Sequence, residues 1–512
     1  MLRLVQPCRR ILMTAVNLPR PEVRPAPQEE SEFGEIVSSQ RGERPDYSIN
    51  NRLGTPSGFT NYTPQEATCV IDWKAKLLEV FKTYGYTGID TSPVEYAENL
   101  QLTGGLDKQI FGVSRLQDGT LTKFGLPFDR TVPMAIYLAK HHLQMTFPYS
   151  RYDIDWSWRG ETAKAGRYRA FIQADVDTVA PEISALADAQ CIVTLIMGLE
   201  RLGVPKCNVF LNHVDVAKSF LNDVGIPSDK QNDALRAIDK LKPDNEDDVV
   251  AELVANVPEI NEDTARDLLK SMSYRGPLSG FKFSKETSVE AKAGLAHLRE
   301  IEKIAQGMGI DTSIFQFAPN LTRGLNYYTG VLFETFMPGR EQYGSIASGG
   351  RYDKLVEMFN PNLHLKGVGG SIGLTRLFDV MKAENLVDLT KQTTAQVFVG
   401  YRTKDELQAA IQVAAALRER GVYTELHLNV PKVKKELKIV DGKGIPFALL
   451  VMNQDEIVLK ETFKKKTTEK QTDQLTFTSI EDAVAHIERL KNEGLLDRSQ
   501  KSQTEIEECK EQ

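Results

Sequence analysis

The period of the apolar positions changes several times along the chain, and each change marks an element. Met1 to about Asn51 shows no period; rich in Pro, Glu and Arg, it reads as a disordered leader. Gly54 to Glu66 is turn-rich, and a helix follows with Ile71, Leu77, Leu78 and Phe81 as its apolar positions. Tyr86 to Glu95 reads as a strand running into Pro93. Ile154, Trp156 and Trp158 alternate with polar residues, and Phe171 to Val179 alternates again. These are two antiparallel strands joined by a polar loop, Thr162 to Gly166. Ile183 to Leu202 returns to the helical period, with Leu186, Ile192, Leu195, Ile196 and Leu199 expected inward. Val209 to Leu211 is a strand, and Gly225 to Gln306 is helical between polar connections, which predicts a helical insertion at about 215–310. Val331 to Glu334 is a strand. After Lys391 short strands and helices alternate as far as Leu490, the pattern of a parallel-type sheet with helices on its faces. Glu493 to Gln512 is a polar tail.

Composition narrows the class. At 512 residues the chain exceeds one hydrophobic core, so two to four domains are expected. The expected division is 1–51 leader, 52–390 containing the insertion, 391–492 and the tail 493–512. The apolar fraction of 41% and charged fraction of 26% are those of a soluble globular protein. No apolar run approaches the ~18 residues of a membrane helix, so no membrane partner is expected. The five cysteines are scattered with no CxxC pair, which argues against a zinc site or a disulfide framework and fits a reducing compartment. Arg3, Arg9, Arg10 and Arg20 give the leader a faint organelle-transit character, but Glu22, Glu29, Glu30 and Glu32 follow at once. A plain flexible leader on a cytoplasmic protein is the expectation. The net charge of -7 repels phosphate, so nucleic-acid binding requires a local basic surface. Lys432, Lys434, Lys435 and Lys438, with Lys460 and Lys464 to Lys466, supply one.

Candidate chemistry gathers in four stretches. Leu321 to Gly330 reads LTRGLNYYTG: Arg323 is a fixed cation whose planar fork fits phosphate or carboxylate, and Tyr327 and Tyr328 offer a flat apolar wall with polar tips. Phe124 to His142 places Asp129 and Thr131 at a strand-to-helix turn, where a carboxylate suits an ammonium group and equally suits a helix N-cap. The hairpin loop carries Arg159, Glu161, Lys164, Arg167 and Arg169, a phosphate-binding set or a solvated ladder of charges. Ser348 to Asp353, SGGRYD, and Val368 to Leu377, VGGSIGLTRL, are glycine-rich, the second a strand-to-helix junction of the kind that meets phosphate.

Taken together and in this order, these motifs resemble those of histidyl-tRNA synthetases, over roughly residues 52–490. RGLNYYTG resembles that family's RGLDYYTG, GRYRAFIQADVD its class II motif 2, GGRYD a further element, and VGGSIGLTRL motif 3. The resemblance implies an α+β fold: a class II antiparallel sheet flanked by helices, a helical insertion and a C-terminal α/β anticodon-binding domain, in a homodimer. It implies ATP as substrate with Mg²⁺, and histidine and its tRNA as partners. It assigns Arg159 and Arg323 to catalysis at the α-phosphate, and Glu161, Arg167, Phe171 and Arg376 with Arg159 to ATP. It assigns Asp129, Thr131, Gln173, Asp177, Tyr327, Tyr328 and Tyr352 to histidine, and the lysines from Lys432 to Lys438 to tRNA. Asn326 stands where the family has Asp, Pro127 where it has Arg, and Arg130 where it has a small or apolar residue. A catalytically silent, synthetase-like regulator is the alternative reading; it would sense histidine or uncharged tRNA.

Overall fold

The structure is a computed structural model that describes residues 54–103, 110–115, 123–163, 166–241, 245–283, 286–322, 327–428, 433–453, 455–462 and 474–496. The leader, Lys164, Arg323 to Asn326, Lys432, Lys464 to Lys466 and most of the tail lie outside the described residues, as do the side chains of Lys434 and Lys435.

In chain order the elements are α1 (Pro64–Thr83), β1 (Thr87–Gly88), β2 (Glu95–Tyr96), α2 (Ala97–Gln101), β3 (Gly112–Val113), β4 (Phe124–Gly125), α3 (Thr131–His141), β5 (Tyr149–Trp158) and β6 (Ala170–Ala180). Then come α4 (Ala185–Arg201), β7 (Asn208–His213), α5 (Val214–Asp223), α6 (Gln231–Ile238), α7 (Glu246–Asn256), α8 (Glu262–Ser271), α9 (Val289–Gly307), β8 (Phe315–Phe317), β9 (Val331–Phe336), β10 (Ala347–Tyr352), β11 (Lys366–Gly373) and α10 (Leu374–Ala383). The chain ends with β12 (Val397–Tyr401), α11 (Leu407–Glu419), β13 (Thr424–Leu426), α12 (Val433–Lys443), β14 (Phe447–Asn453), β15 (Glu456–Glu461), β16 (Gln474–Phe477) and α13 (Ile480–Asn492).

Eight strands form one sheet in the order β1-β5-β6-β11-β10-β9-β7-β8. Its pairings are antiparallel except β1 with β5 and β7 with β8. The mixed α+β architecture is the expected one. One face packs on α1, α4 and α9 through Leu77, Phe81, Ile192, Leu195, Leu298 and Ile301. Helix α1 starts with a reciprocal cap: Thr63 N–H donates to the Glu66 carboxylate and Glu66 N–H to Thr63 Oγ1, with Pro64 in the first turn. Two inward expectations are corrected. Ile71 is 62% exposed and Leu186 53% exposed; Val70 and Trp73 take the core positions of α1 and Ala185 and Ala189 those of α4. In each helix the apolar stripe is wider than the buried one, and small residues fill where α4 runs close to the sheet.

The helical block between β7 and β8 divides. Helices α5 to α8 share a cluster of their own around Leu221, Leu253, Leu268 and Met272. Helix α9 instead buries Leu295, Leu298 and Ile301 in the core beneath the sheet. The last sheet runs β13-β12-β14-β15-β16. Its first three strands are parallel, as the alternation predicts, but β15 and β16 add antiparallel strands that sequence reading did not identify. Leu496, within the predicted polar tail, is buried against this sheet.

Candidate active site

The face of the large sheet away from α1 and α4 is polar, and register shows why. Arg151, Asp153 and Asp155 on β5 lie opposite Asp177, Asp175 and Gln173 on β6. The same alternation that sends Ile154 and Trp156 to the helices sends every charge of YDIDW and QADVD to the other side. This side is nonetheless buried: Arg151, Asp153, Asp175 and Asp177 are all inaccessible. Buried charge is stable only when paired. Arg151 meets Asp177 at 2.6 Å and Asp153 at 3.6 Å, and donates to the Arg130 carbonyl. Arg130, in the place of a small or apolar family residue, is fully buried; it donates to Asp153 and Thr91 and sits 2.8 Å from the Asp153 carboxylate. Burial pushes Asp175 up to about 7, against the pull of Arg151 and with the push of Asp177. Sequence reading passed over Arg151, Asp153 and Asp175, although strand parity alone places them with Gln173 and Asp177.

Two tyrosine–carboxylate pairs close one end of this face. Tyr352 donates to Asp177 and Tyr327 to Asp129 at 3.3 Å. The Tyr327 and Tyr352 rings meet edge to face at 6.0 Å, and Tyr328 lies 5.1 Å from Tyr327. Room for this comes from glycine. A Cβ on Gly369 would lie 1.8 Å from Asp177 Oδ1, and one on Gly367 2.1 Å from the Tyr352 ring. Burial raises the carboxyls of Asp129 and Asp177 above the ordinary range, offset at Asp129 by the Val132 N–H and the charge of Arg159. The helix-capping reading of Asp129 is seen directly: Oδ1 accepts from Val132 N–H at the start of α3, while Oδ2 accepts from Tyr327. Thr131, half-buried, opens the same helix.

The hairpin loop forms the other end. Arg159 donates to the carbonyl of Phe128, beside Asp129, and its guanidinium lies 5.0 Å over the ring of Phe171. Arg167 pairs with Glu161 at 2.7 Å. Arg376 donates to the carbonyls of Gly166 and Ser345 and so ties the loop to the start of α10. Tyr168 donates to Asp379 on α10, a second tie that the sequence did not reveal. Gln173 donates to Ser371 Oγ at 3.0 Å, between the two ends. Asp129, Thr131, Gln173, Asp177, Tyr327, Tyr328 and Tyr352 therefore lie together, with Arg159, Glu161, Arg167, Phe171 and Arg376 beside them; Lys438 is exposed on α12 in the other sheet's layer. Among the described residues no group of three or more histidine, cysteine or acidic side chains is placed to hold a metal ion. No helix among them is long and apolar enough to cross a membrane.

The family model for histidyl-tRNA synthetase matches residues 58–377. A histidine–tRNA ligase of Wolinella succinogenes is 32% identical over 411 residues, covering 79% of this chain and 91% of the relative. One of Nostoc punctiforme is 29% identical over 459 residues, 84% of this chain and 97% of the relative. The crystal structure of a Nostoc histidyl-tRNA synthetase superposes with a TM-score of 0.74 at 28% identity, covering 85% of this chain and 99% of that one. A Bacillus halodurans structure described as an ATP phosphoribosyltransferase regulatory subunit/histidyl-tRNA synthetase shares the fold, with a TM-score of 0.61 at 20% identity.

Proposed function

The chain belongs to the histidyl-tRNA synthetase family, and from that premise we propose that it activates histidine with ATP and transfers it to the 3′ end of histidine tRNA. The observation that carries this reading is the pair of tyrosine–carboxylate contacts, Tyr352 with Asp177 and Tyr327 with Asp129, with Arg159 beside Asp129. An imidazole is planar and has polar nitrogens at its edge, so it suits aromatic walls with hydroxyl and carboxylate tips. Asp129 Oδ2 and Thr131 receive the ammonium group, and Tyr328, Tyr352, Gln173 and Asp177 shape the ring's surroundings. ATP lies over the hairpin, with Arg159 at the α-phosphate, Phe171, Arg376 and Glu161 at adenine, and Arg167 at the outer phosphates.

The chemistry is an in-line displacement. The ionised histidine carboxylate attacks the α-phosphorus, a P–O bond forms, the bond to the bridging oxygen breaks, and pyrophosphate leaves. No general base is required, because the nucleophile is already an anion. The barrier is electrostatic, and positioning with preorganised cations lowers it. Mg²⁺ bound with the nucleotide would offset the phosphate charge; with no acidic cluster among the described residues set to hold it, phosphate oxygens and water would supply most of its ligands. Arg323, at the head of RGLNYYTG, bridges carboxylate and phosphate once both are present. The terminal ribose hydroxyl of the tRNA then takes the acyl group and AMP departs. The lysine surface of residues 432–438, on an anticodon-binding domain at 391–492, meets the tRNA backbone. The active species is a homodimer and its compartment the cytoplasm.

Amino-acid-dependent ATP–pyrophosphate exchange across all twenty amino acids tests the reading. Exchange with histidine alone is expected. No exchange with any amino acid, together with histidine-dependent binding to another protein, would establish the silent regulator instead.

A further inference from the structure

Behind the tyrosine wall, on the helix side of the sheet, lies a charged cluster that the reaction does not use. Arg351 precedes Tyr352 on β10, so alternation sends its side chain to the opposite face. There it meets Asp188 of α4 at 2.9 Å and donates to the carbonyl of Ile183 and to Asp353. His297 Nε2 of α9 reaches the same oxygen of Asp188 at 2.9 Å. Asp188 is fully buried, and its charge is stable only with both partners. His213 packs its ring on His297 at 5.6 Å, in space left by Gly294 of α9. Burial, with His297 and Arg351 nearby, lowers His213 to about 4, so it is neutral and does not compete for Asp188.

This cluster holds both tyrosine motifs. Thr329 N–H donates to the Arg351 carbonyl at 2.7 Å, and Asp353 N–H donates to Thr329 Oγ1 at 2.9 Å. A Cβ on Gly330 would lie 2.9 Å from Arg351 Cδ, so the glycine that ends LTRGLNYYTG is what lets the arginine through. Tyr327 and Tyr328 on one side and Tyr352 on the other are thus tied to each other through Arg351, and Arg351 is tied to two helices through Asp188 and His297.

We propose that His297 and Asp188 are positioning residues: acting through Arg351, they set the spacing between the tyrosines of LTRGLNYYTG and Tyr352 and thereby the fit of the amino-acid substrate. This rests on the proposed histidine pocket. The nucleotide half of the site is built on the hairpin and the start of α10 instead, so the effect is selective.

The test uses the full chain. His297→Leu should raise the KM for histidine roughly tenfold, the size of effect that a small misplacement of contacts produces, while the KM for ATP stays nearly unchanged. His297→Gln, which keeps a donor toward Asp188, should recover most of the loss. Amide exchange at Thr329 and Asp353 should quicken by about tenfold in His297→Leu and in the isosteric Asp188→Asn, which serves if the leucine variant does not fold. Unchanged KM values with unchanged amides, or equal rises for both substrates, would overturn the proposal. Should the wild-type chain show no histidine-dependent exchange, the pocket assignment fails, and the two amides alone still decide whether His297 and Asp188 fix the motifs.

Discussion

The two sheets handle charge in opposite ways. The eight-stranded sheet buries Arg151, Asp153, Asp175, Asp177 and Arg351, whereas the five-stranded sheet buries Val397, Val399, Leu449, Val451 and Leu459 and no charged side chain among the described residues. Apolar burial stabilises at roughly 25 cal/mol per Å² wherever it occurs, while buried charge breaks even only when geometry and partners are good. A sheet that carries so much charge inside has given up stability for a fixed electrostatic field. The second sheet is a scaffold, and whatever it binds must be met at its surface.

The sharpest way to break that contrast lies in the motif LTRGLNYYTG. Arg323→Ala should lower kcat for adenylate formation by about a hundred- to a thousandfold, the loss of one preorganised donor, with little change in KM. Arg159→Ala should instead weaken ATP binding as well, because the proposed place of this arginine is at the nucleotide in both ground and transition states. Single-turnover adenylate formation separates the two; a steep rise in KM for ATP in Arg323→Ala would make Arg323 a nucleotide anchor. Next in size is Asp129. Its replacement by alanine should raise the KM for histidine at least about tenfold, the loss of one charge-assisted hydrogen bond, and leave ATP alone. Since Oδ1 also caps α3, a fall in melting temperature should accompany it; Asp129→Asn should keep much of the cap yet still raise the KM for histidine, because its charge is gone.

Asp175 gives a smaller effect with a definite sign. Its ordinary value is 3.8 and burial brings it to about 7. The folded state thus binds the proton more tightly than the unfolded state, so this group's contribution is full below about pH 4 and is lost as pH rises through about 7. Asp175→Asn mimics the protonated form. The melting temperature of the variant relative to wild type should therefore improve from pH 5 to pH 8, and a flat difference would place the proton elsewhere. Smallest of all is the change expected on the second sheet. Lys438→Ala should leave stability and adenylate formation untouched, weaken tRNA binding a few-fold, and reduce the salt slope of binding by about 1. A loss of adenylate formation in that variant would erase the distinction between the sheets.

Much of this division was legible in the sequence. The hairpin was readable because strand parity leaves a two-residue period, and the motif glycines stand where side chains from other strands need room. The β15–β16 pair was not, because Glu456–Glu461 mixes polar and apolar residues and the lysine-rich stretch before Gln474 hid the return strand. Leu186 misled because it stands in the first turn of α4, which meets solvent, while the turns that follow are buried. Arg130 was flagged as a departure, yet its compensation by Asp153, 23 residues on, could not be inferred without the fold. The link from Gly330 to Arg351 joins residues far apart in sequence and leaves no periodic trace.

One earlier feature bears on how this pocket could be altered. Tyr352 rests on Gly367 and Asp177 on Gly369, so the layer directly beneath these two side chains is main chain held by its neighbours in the sheet. A boundary made of side chains can be trimmed by substitution or can swing between rotamers; a boundary made of peptide groups can do neither. Anyone redesigning the site for a bulkier amino acid has no room to gain downward. The adjustable wall is the half-buried Tyr328, and a library that varies it while sparing the two glycines is where enlarged substrates should first be accommodated.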